Sequence, residues 1–329
     1  MAKKPKQTQF AYDFEQPVRD LDDRIAELRE RAAAEGQDLS GEIQALEQER
    51  DKILQEVIAN LNAYQRVKLA RHPLRPQSRE YIRRMFEEFT ELHGDRRFRD
   101  DRAIVTGLAK VGEHRIMVIA QQKGRDSREK IEVNFGMPNP EGYRKALHKM
   151  TVAEKFGLPV VCLIDTPGAA PAVEAEERGQ GMAIAENIWR MSGLRVPIVV
   201  VITGEGCSGG ALGVGVGDRF AMLENAYYSV ISPEGCAAIL WRNGEMAEQA
   251  AEAMRLTAEH MKQAGIIDEI IPEPMGGAHR DPERTAEALK AYLCRVLKEL
   301  RDIPTDDLLE QRYRRYRTLG PVAQAKPNK

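Results

Sequence analysis

Residues 204–217 carry the most informative chemistry in the sequence, because seven of these fourteen residues are glycine. The segment follows an apolar run typical of a β-strand and leads into small residues that predict a helix. The first N–H groups of such a helix lack an intrahelical acceptor, and the helix dipole adds partial positive charge there. Glycine also lets a ligand approach the backbone without meeting a Cβ. The segment therefore predicts a site for a phosphate or an oxyanion, unless its small residues only serve close packing of a helix on a sheet.

Phosphate binding is the first chemistry to weigh. Asp165-Thr166-Pro167-Gly168 follows an apolar strand and resembles the metal-binding turn of GTPases, where the aspartate holds Mg²⁺ through a water. The sequence contains no G-x-x-x-x-G-K-[ST] motif, so the phosphate cradle and its lysine are missing. We reject phosphate binding on that ground.

A serine hydrolase is the second possibility. Gly206-Cys207-Ser208-Gly209-Gly210 fits G-x-S-x-G on a strand-to-helix turn, which makes Ser208 a candidate nucleophile. A triad would then need His260 or His279 and a carboxylate such as Asp268. The pattern is short and arises by chance in glycine-rich loops, so a serine hydrolase stays an alternative.

An oxyanion hole without a nucleophile is the third possibility. The amides of Gly209 and Gly210 would stabilise an enolate or a ureido oxygen, as crotonase-type proteins do for thioester enolates. Removing one such donor typically costs about 3 kcal/mol in the transition state. Hydratases of that type also need positioned carboxylates, and this region offers only Glu205, with Asp218 at its far end. A reaction whose base is supplied by the reactants fits better.

Beyond this loop, the sequence resembles the α subunits of bacterial-type acetyl-CoA carboxylase carboxyltransferases over nearly its whole length. Many blocks in the same order are more specific than any single motif. Besides the glycine loop, the matching blocks are residues 69–73, 122–125, 134–138, 140–146, 164–169, 175–180, 228–237 and 271–280.

The resemblance implies a crotonase-like ββα spiral of the α/β class and a definite reaction. The family transfers the carboxyl group of carboxybiotin, held on the biotin carboxyl carrier protein, to acetyl-CoA, and the malonyl-CoA formed commits carbon to fatty acid biosynthesis. The α subunit works with a β subunit as an α₂β₂ heterotetramer, beside biotin carboxylase, with active sites at the α/β interface. The β subunit usually carries a Cys₄ zinc ribbon. No metal is expected in this chain, whose four cysteines form no C-x-x-C pair.

The resemblance also assigns roles at the site. Gly209 and Gly210 are the expected catalytic donors to the biotin ureido oxygen, and the biotin nitrogen so generated takes the methyl proton of acetyl-CoA in a dry pocket. The expected cofactor-binding residues are Gly168, Ala169, Gly206 and Ser208.

The sequence departs from the family pattern in two places. Ala170, Ala172 and Glu174 stand where the family commonly has an aromatic residue and extra glycines, close to where biotin is expected. Cys207 stands where glycine is usual, which is harmless if its φ is negative. Neither change removes an N–H donor.

Two other functions stay open. A stand-alone enoyl-CoA hydratase or isomerase predicts turnover without a partner, and a non-catalytic scaffold that only binds the carrier protein predicts insensitivity to changes at the glycines. A basic cluster could help to hold the 3′-phosphate of CoA, although such residues more often form solvated faces. Its members are Lys123, Arg125, Arg128, Lys130, Arg144 and Lys145.

The elements that position these residues begin with a helical region, assigned to residues 1–100. Apolar residues at helical spacing predict a hairpin of two helices separated near residues 35–41, either packing on its own core or acting as a subunit-contacting arm. A third helix is predicted to start at Ser78, to place Ile82, Met85, Phe86, Phe89 and Leu92 on one face, and to stop at Gly94.

The carboxyltransferase domain is assigned to residues 101–319, followed by a polar tail at 320–329. Residues 103–111 and 115–121 predict a β-hairpin around Gly112-Glu113. Strands that are apolar on both faces alternate with helices, which predicts a covered α/β sheet. The expected strands are 159–164, 196–202, 219–223 and 227–231, and the expected helices are 142–156, 176–191 and about 245–265.

Composition excludes several other classes of protein. The 329 residues carry a formal net charge of −2, which argues against a nucleic-acid or anionic-membrane binder. The sequence contains no apolar run of the ~18 residues that a membrane span needs. The first residues have lysines but no apolar segment of a secretory signal, so we expect a cytoplasmic protein.

Overall fold

A computed structural model describes residues 12–320. It begins with the predicted helical hairpin, formed by α1 (Gln16–Glu35) and α2 (Ser40–Ala59). Ile25 and Leu28 on α1 pack against Leu46 on α2, so the apolar stripes of the two helices meet. The prediction of a hairpin is confirmed. The polar tail assigned to 320–329 lies outside the described residues, apart from Gly320.

A mixed sheet of eight strands forms the centre of residues 12–320. Three strands at one side run antiparallel, and the following strands run parallel. The sheet order is β1-β2-β3-β4-β5-β6-β8, with β7 pairing to β5. The strands are β1 (Glu87–Glu91), β2 (Ile104–Val111), β3 (His114–Gln121), β4 (Val160–Thr166), β5 (Ile198–Cys207), β6 (Arg219–Leu223), β7 (Tyr227–Ser229) and β8 (Glu269–Ile271).

Helices connect and cover these strands, as the predicted α/β class requires. They are α3 (Ala63–Ala70), α4 (Ser78–Met85), α5 (Ser127–Glu132), α6 (Pro140–Lys155), α7 (Val173–Glu177), α8 (Gln180–Ser192), α9 (Ser208–Leu212), α10 (Pro233–Trp241), α11 (Ala247–Met254), α12 (Ala258–Gln263), α13 (Pro282–Arg301) and α14 (Thr305–Arg317). In residues 12–320 no helix combines the length and the apolar character needed to cross a membrane.

The two central strands are buried along their whole length, which confirms that the sheet is covered on both faces. β5 also changes its partner: residues 199–202 pair with β6, whereas Glu205, Gly206 and Cys207 pair with β7. β7 thus extends the sheet beyond β6 at the point where β5 ends. The glycine segment leaves the sheet there.

The predicted helix from Ser78 to Gly94 is wrong beyond Met85. The chain becomes extended at Phe86, and β1 pairs with β2 through backbone hydrogen bonds. Glu88 has a φ of 54° within a shift of the strand register, a β-bulge that breaks the alternation expected of a strand. The bulge therefore gives the apolar residues of this strand a spacing that is also typical of a helix.

Two other predicted helices are interrupted, and five helices in residues 12–320 were missed. Gly179, with a φ of 81°, separates α7 from α8 inside the predicted helix 176–191. Arg255, with a φ of 51°, ends α11 inside the predicted helix 245–265. Left-handed residues of this kind terminate helices because the next N–H no longer points along the helix axis. The sequence analysis did not predict α3, α5, α10, α13 or α14.

Candidate functional site

The glycine segment is strand as far as Cys207 and then forms the single turn of α9. Cys207 has a φ of −112°, so the unusual cysteine introduces no backbone strain. Gly209 and Gly210 occupy the second and third positions of α9, before the first intrahelical acceptor becomes available. Neither of their N–H groups has a hydrogen-bond acceptor among residues 12–320. Both N–H groups are therefore available to a ligand, and their role as a pair of donors stays a prediction.

The loop after β4 forms the opposite wall of the turn. A Cβ placed on Gly210 would lie 2.5 Å from the carbonyl carbon of Gly168 and 2.8 Å from the nitrogen of Ala169. The two loops thus meet backbone to backbone, which only glycine at position 210 allows. Thr166 holds this wall, since its hydroxyl donates to the Gly136 carbonyl at 2.6 Å and accepts from the Gly168 N–H at 3.1 Å.

The remaining predicted cofactor-binding residues lie apart from this contact. Gly206 is buried in β5, and a Cβ there would lie 2.7 Å from Ile202 and 3.0 Å from Tyr228. Its glycine allows close packing of the strands. Ser208 is exposed and has a φ of 54°. The structure therefore brings together Gly168, Ala169 and Gly210.

A buried ionic cluster lies beside the turn and was not predicted as a unit. Glu205 accepts hydrogen bonds from Arg71 at 2.6 Å, from Lys123 at 2.7 Å and from the Tyr227 hydroxyl at 2.6 Å. Lys123 also pairs with Asp165 at 3.2 Å. Lys123 is thus largely committed to internal carboxylates. A sequence signal existed: Lys123, Asp165 and Glu205 all stand at the carboxyl ends of neighbouring strands.

The charges in this cluster set the ionisation of its two carboxyls in opposite directions. Burial raises the pKa of Glu205, but the charges of Lys123 and Arg71 outweigh it and lower the pKa to about 2. Burial dominates at Asp165, whose pKa is raised although Lys123 opposes the shift. Glu205 is therefore a fixed anion with all its partners in place. It is unsuited to be the proton-moving carboxylate that a hydratase needs.

A cleft of about 320 Å³ opens over this cluster. Arg71, Lys123, Asp165 and Glu205 form its polar floor, and Phe135 is on its wall. Gly209 and Gly210 are not among its lining residues. The glycine turn and the polar cleft are thus separate features near the ends of β4 and β5.

One group of side chains has the composition of a metal site. The carboxylate of Glu15 lies 3.0 Å from His279 Nε2 and 3.6 Å from His72 Nε2, and the ligand atoms lie within 4.8 Å of one another. The N–H of Leu74 donates to His72 Nδ1 at 3.1 Å, which places the proton of a neutral ring on Nε2, facing Glu15. A metal at that nitrogen would require displacing this proton. The geometry favours a carboxylate held by two imidazoles.

The residues of the serine hydrolase alternative do not assemble. His260 Nδ1 lies 2.9 Å from the hydroxyl of Thr257, and His279 faces Glu15. Asp268 accepts from the N–H of Phe220 at 2.7 Å. None of these three side chains contacts Ser208 in residues 12–320.

We expect Ser208→Ala to retain turnover within about tenfold, because alanine keeps the N–H group and tolerates the same φ as serine. A nucleophilic serine would lose on the order of 10⁴-fold or more. The rate of the carboxyl transfer that the family resemblance implies, run in reverse with malonyl-CoA and biotin, checks this. A loss of the larger size would restore Ser208 as a nucleophile.

Comparison with known proteins gives a consistent result. Residues 11–320 match the family model described as acetyl co-enzyme A carboxylase carboxyltransferase-like. The acetyl-coenzyme A carboxylase carboxyl transferase subunit alpha of Methylococcus capsulatus is 54% identical over 94% of this chain and 96% of its own length. The subunit of the same name from Thermus thermophilus is 52% identical over 95% of this chain and 99% of its own.

Solved structures share the fold at lower identity. Transcarboxylase 12S with methylmalonyl-coenzyme A bound aligns with a TM-score of 0.52 and 19% identity, over 78% of this chain and 44% of that chain. This chain therefore spans less than half the transcarboxylase chain. A Pseudomonas malonate decarboxylase hetero-tetramer in complex with coenzyme A aligns with a TM-score of 0.54 and 17% identity, over 65% of this chain and 85% of that chain. The predicted spiral fold is confirmed.

Proposed function

Since the chain belongs to the α subunits of acetyl-CoA carboxylase carboxyltransferase, whose reaction forms malonyl-CoA, we propose that its glycine turn stabilises the negative charge that develops during carboxyl transfer. The observation that carries the proposal is the pair of N–H groups on Gly209 and Gly210 without an acceptor in residues 12–320. Carboxybiotin supplies CO₂ most easily when negative charge on its ureido oxygen is stabilised. Two preorganised backbone donors suit that oxygen and need no reorganisation during the reaction.

The chain's own residues hold the turn and provide no base beside it. Gly168 and Ala169 support the turn from the opposite loop, at contact distance from Gly210. The nearest carboxylate in sequence, Glu205, is fixed by Arg71 and Lys123. In this proposal the chain contributes charge stabilisation, and the methyl proton of acetyl-CoA is taken by a group outside the chain's side chains.

The loop that departs from the family pattern is nevertheless held in place. The N–H of Ala170 donates to the carbonyl of Pro138 at 3.0 Å, and the side-chain amide of Gln180 donates to the carbonyls of Ala170 and Pro138. Ala172 and Glu174 follow on the exposed surface. These contacts support a formed biotin-side wall in spite of the substitutions.

We further propose that a β subunit covers this side of the chain in an α₂β₂ assembly. Val173, Met182 and Leu212 are large apolar residues that are 71%, 73% and 44% exposed. They lie on α7, α8 and α9, and α8 contacts both of the other helices. Exposed apolar groups concentrated beside an open site are typical of a surface that a partner completes. The partner would carry the zinc ribbon and a site for acetyl-CoA, and the carrier protein would deliver biotin between the subunits. Biotin carboxylase then belongs to the larger complex, which we place in the cytoplasm.

The reverse reaction tests the proposal most directly. We expect malonyl-CoA decarboxylation in the presence of free biotin only when this chain is mixed with its β subunit, because each subunit supplies one part of the site. The rate is measured for this chain alone, for the β subunit alone and for the purified complex.

Two outcomes would contradict the proposal. Turnover by this chain alone would favour a stand-alone crotonase. An inactive but well-formed complex would point to Ala170, Ala172 and Glu174 as signs of a changed substrate or a lost reaction.

A further inference from the structure

The carbonyl of Gly210 is treated differently from its neighbours in α9. The N–H of Gly213 donates to the Gly209 carbonyl at 3.0 Å, and the N–H of Val214 donates to the Ala211 carbonyl at 3.2 Å. These two N–H groups donate to the carbonyls before and after Gly210, so neither of them donates to the Gly210 carbonyl. This carbonyl must therefore find its partner elsewhere in the fold.

Two side chains from other elements supply that partner. Nε2 of Gln121, the last residue of β3, donates to the Gly210 carbonyl at 2.7 Å. The hydroxyl of Tyr143 on α6 approaches the same oxygen at 3.4 Å. Both side chains are fully buried. The shorter of the two bonds comes from Gln121, and it ties the glycine turn to the central sheet.

Gln121 makes this bond at a cost to its own side chain. Its Oε1 is buried and has no hydrogen-bond partner in residues 12–320. A buried carbonyl oxygen without a partner opposes folding. Gln180 shows the same pattern, donating to the opposite wall of the site while its own Oε1 stays unpaired. In both glutamines the side-chain oxygen stays unpaired within the described part of the chain, while the NH₂ group bonds a backbone carbonyl of the site. We take the bond to that carbonyl as the reason for the position of each side chain.

We propose that Gln121 is a positioning residue for carboxyl transfer, holding the Gly210 carbonyl so that the N–H donors of the turn keep their direction. The inference rests on the proposed function of that turn. Glycine rotates about its backbone bonds at little cost, so an anchor on one side of Gly210 restricts the N–H on its other side. Preorganised donors accelerate a reaction only if they do not have to reorient during it.

The first test replaces Gln121 with methionine, which keeps the length of the side chain and removes both its donor and its unpaired oxygen. In the α/β complex we expect kcat to fall about tenfold, since one hydrogen bond to the carbonyl is lost. The KM for malonyl-CoA should stay within about twofold, because the substrate's binding contacts are not touched. The melting temperature should stay within about 3 °C or rise, because the unpaired oxygen is gone.

The second test replaces Gln121 with glutamate and follows the pH profile. A carboxylate facing the Gly210 carbonyl is buried without a cation, so its pKa should be raised. Above that pKa the carboxylate repels the carbonyl, whereas below it the protonated group can donate to the carbonyl as the amide does. The kcat of Gln121→Glu relative to the original chain should therefore recover as the pH falls.

Gln122→Met is the matched control. Gln122 is the adjacent buried glutamine, but it donates to Gln77 at 2.7 Å and accepts from the N–H of Arg79 at 3.1 Å, away from the turn. We expect it to lower the melting temperature and to leave kcat unchanged. A kcat of Gln121→Met equal to that of the original complex would overturn the inference, as would a pH-independent loss in Gln121→Glu.

These outcomes separate the inference from the function on which it rests. If a side chain at Gly210 abolishes transfer and Gln121→Met does not slow it, only the role of Gln121 is overturned. If a side chain at Gly210 is also harmless, the proposed site itself fails.

Discussion

Replacing Gly210 with alanine is expected to lower carboxyl transfer by at least ~100-fold, with the subunits still assembled. The new Cβ would lie 2.5 Å from the carbonyl carbon of Gly168, a backbone atom that cannot turn aside as a side chain can. The two loops must then separate, and the donors lose their position. Gly210→Pro adds the loss of the N–H itself and should be at least as damaging. The kcat of malonyl-CoA decarboxylation is measured in complexes isolated by size exclusion.

Two further glycines calibrate this result. A Cβ on Gly209 would meet only the tip of Ile184, at 3.3 Å, so Gly209→Ala should lose less activity than Gly210→Ala. Gly193 has open space around it and a φ of −105°, and Gly193→Ala should leave the rate unchanged. Assembled Gly210→Ala with near-normal turnover would remove the turn from the reaction.

Replacing Lys123 with methionine is expected to destabilise the chain by about 3 kcal/mol, the size found when a buried ion pair loses one partner. The side chain of Lys123 is only 19% exposed, and its ammonium group lies between Asp165 and Glu205. Glu205 would keep Arg71, whereas Asp165 would lose its cation. The free energy of unfolding, measured with urea, checks the prediction.

The loss should depend on pH in a defined direction. The pKa of Asp165 is already raised by burial, and removing Lys123 raises it further. When a carboxyl has a higher pKa in the folded state than in the unfolded state, the free energy of unfolding falls as the pH rises through the folded-state pKa. The free energy of unfolding of Lys123→Met should therefore lie further below that of the original chain at pH 8 than at pH 5.

Lys130→Met is the control, since Lys130 is an exposed lysine on the same cleft. It should change the free energy of unfolding by no more than about 0.5 kcal/mol. An equal loss in both variants, or no pH dependence in Lys123→Met, would contradict the assignment of a buried ion cluster.

Features of the candidate site that lie within one short stretch of sequence could be predicted, whereas contacts between residues far apart in the sequence could not. Gly209 and Gly210 could be proposed as donors because the glycine-rich strand-to-helix turn that exposes their N–H groups is a local pattern of the sequence. The support of the turn by Gln121, 89 residues earlier in the chain, could not be inferred, because no local pattern relates a glutamine in a strand to a distant carbonyl. Lys123 was considered as an exposed candidate for CoA for the same reason: its carboxylate partners come from other strands.

The fold was predictable where one period dominated the sequence. The apolar runs that begin β4 and β5 and the two hairpins have unambiguous patterns. The error at residues 86–94 arose because a bulge at Glu88 shifted Phe89 and Leu92 to a spacing that a helix also produces. The interruptions at Gly179 and Arg255 depend on left-handed residues, which apolar periodicity does not report.

The contact between Glu15 and His279 determines when the helical hairpin can dock during synthesis of the chain. His279 contacts Glu15, and Arg280 contacts Asp22 at 2.6 Å, so the start of the helical hairpin is tied to residues synthesised more than 250 positions later. At translation rates of roughly 5 to 20 residues per second, the ribosome needs tens of seconds or less to reach them. Throughout that interval the hairpin cannot make its contacts with His279 and Arg280. Its docking therefore marks a nearly finished chain, and a nascent chain cannot yet present that tied arrangement to another subunit.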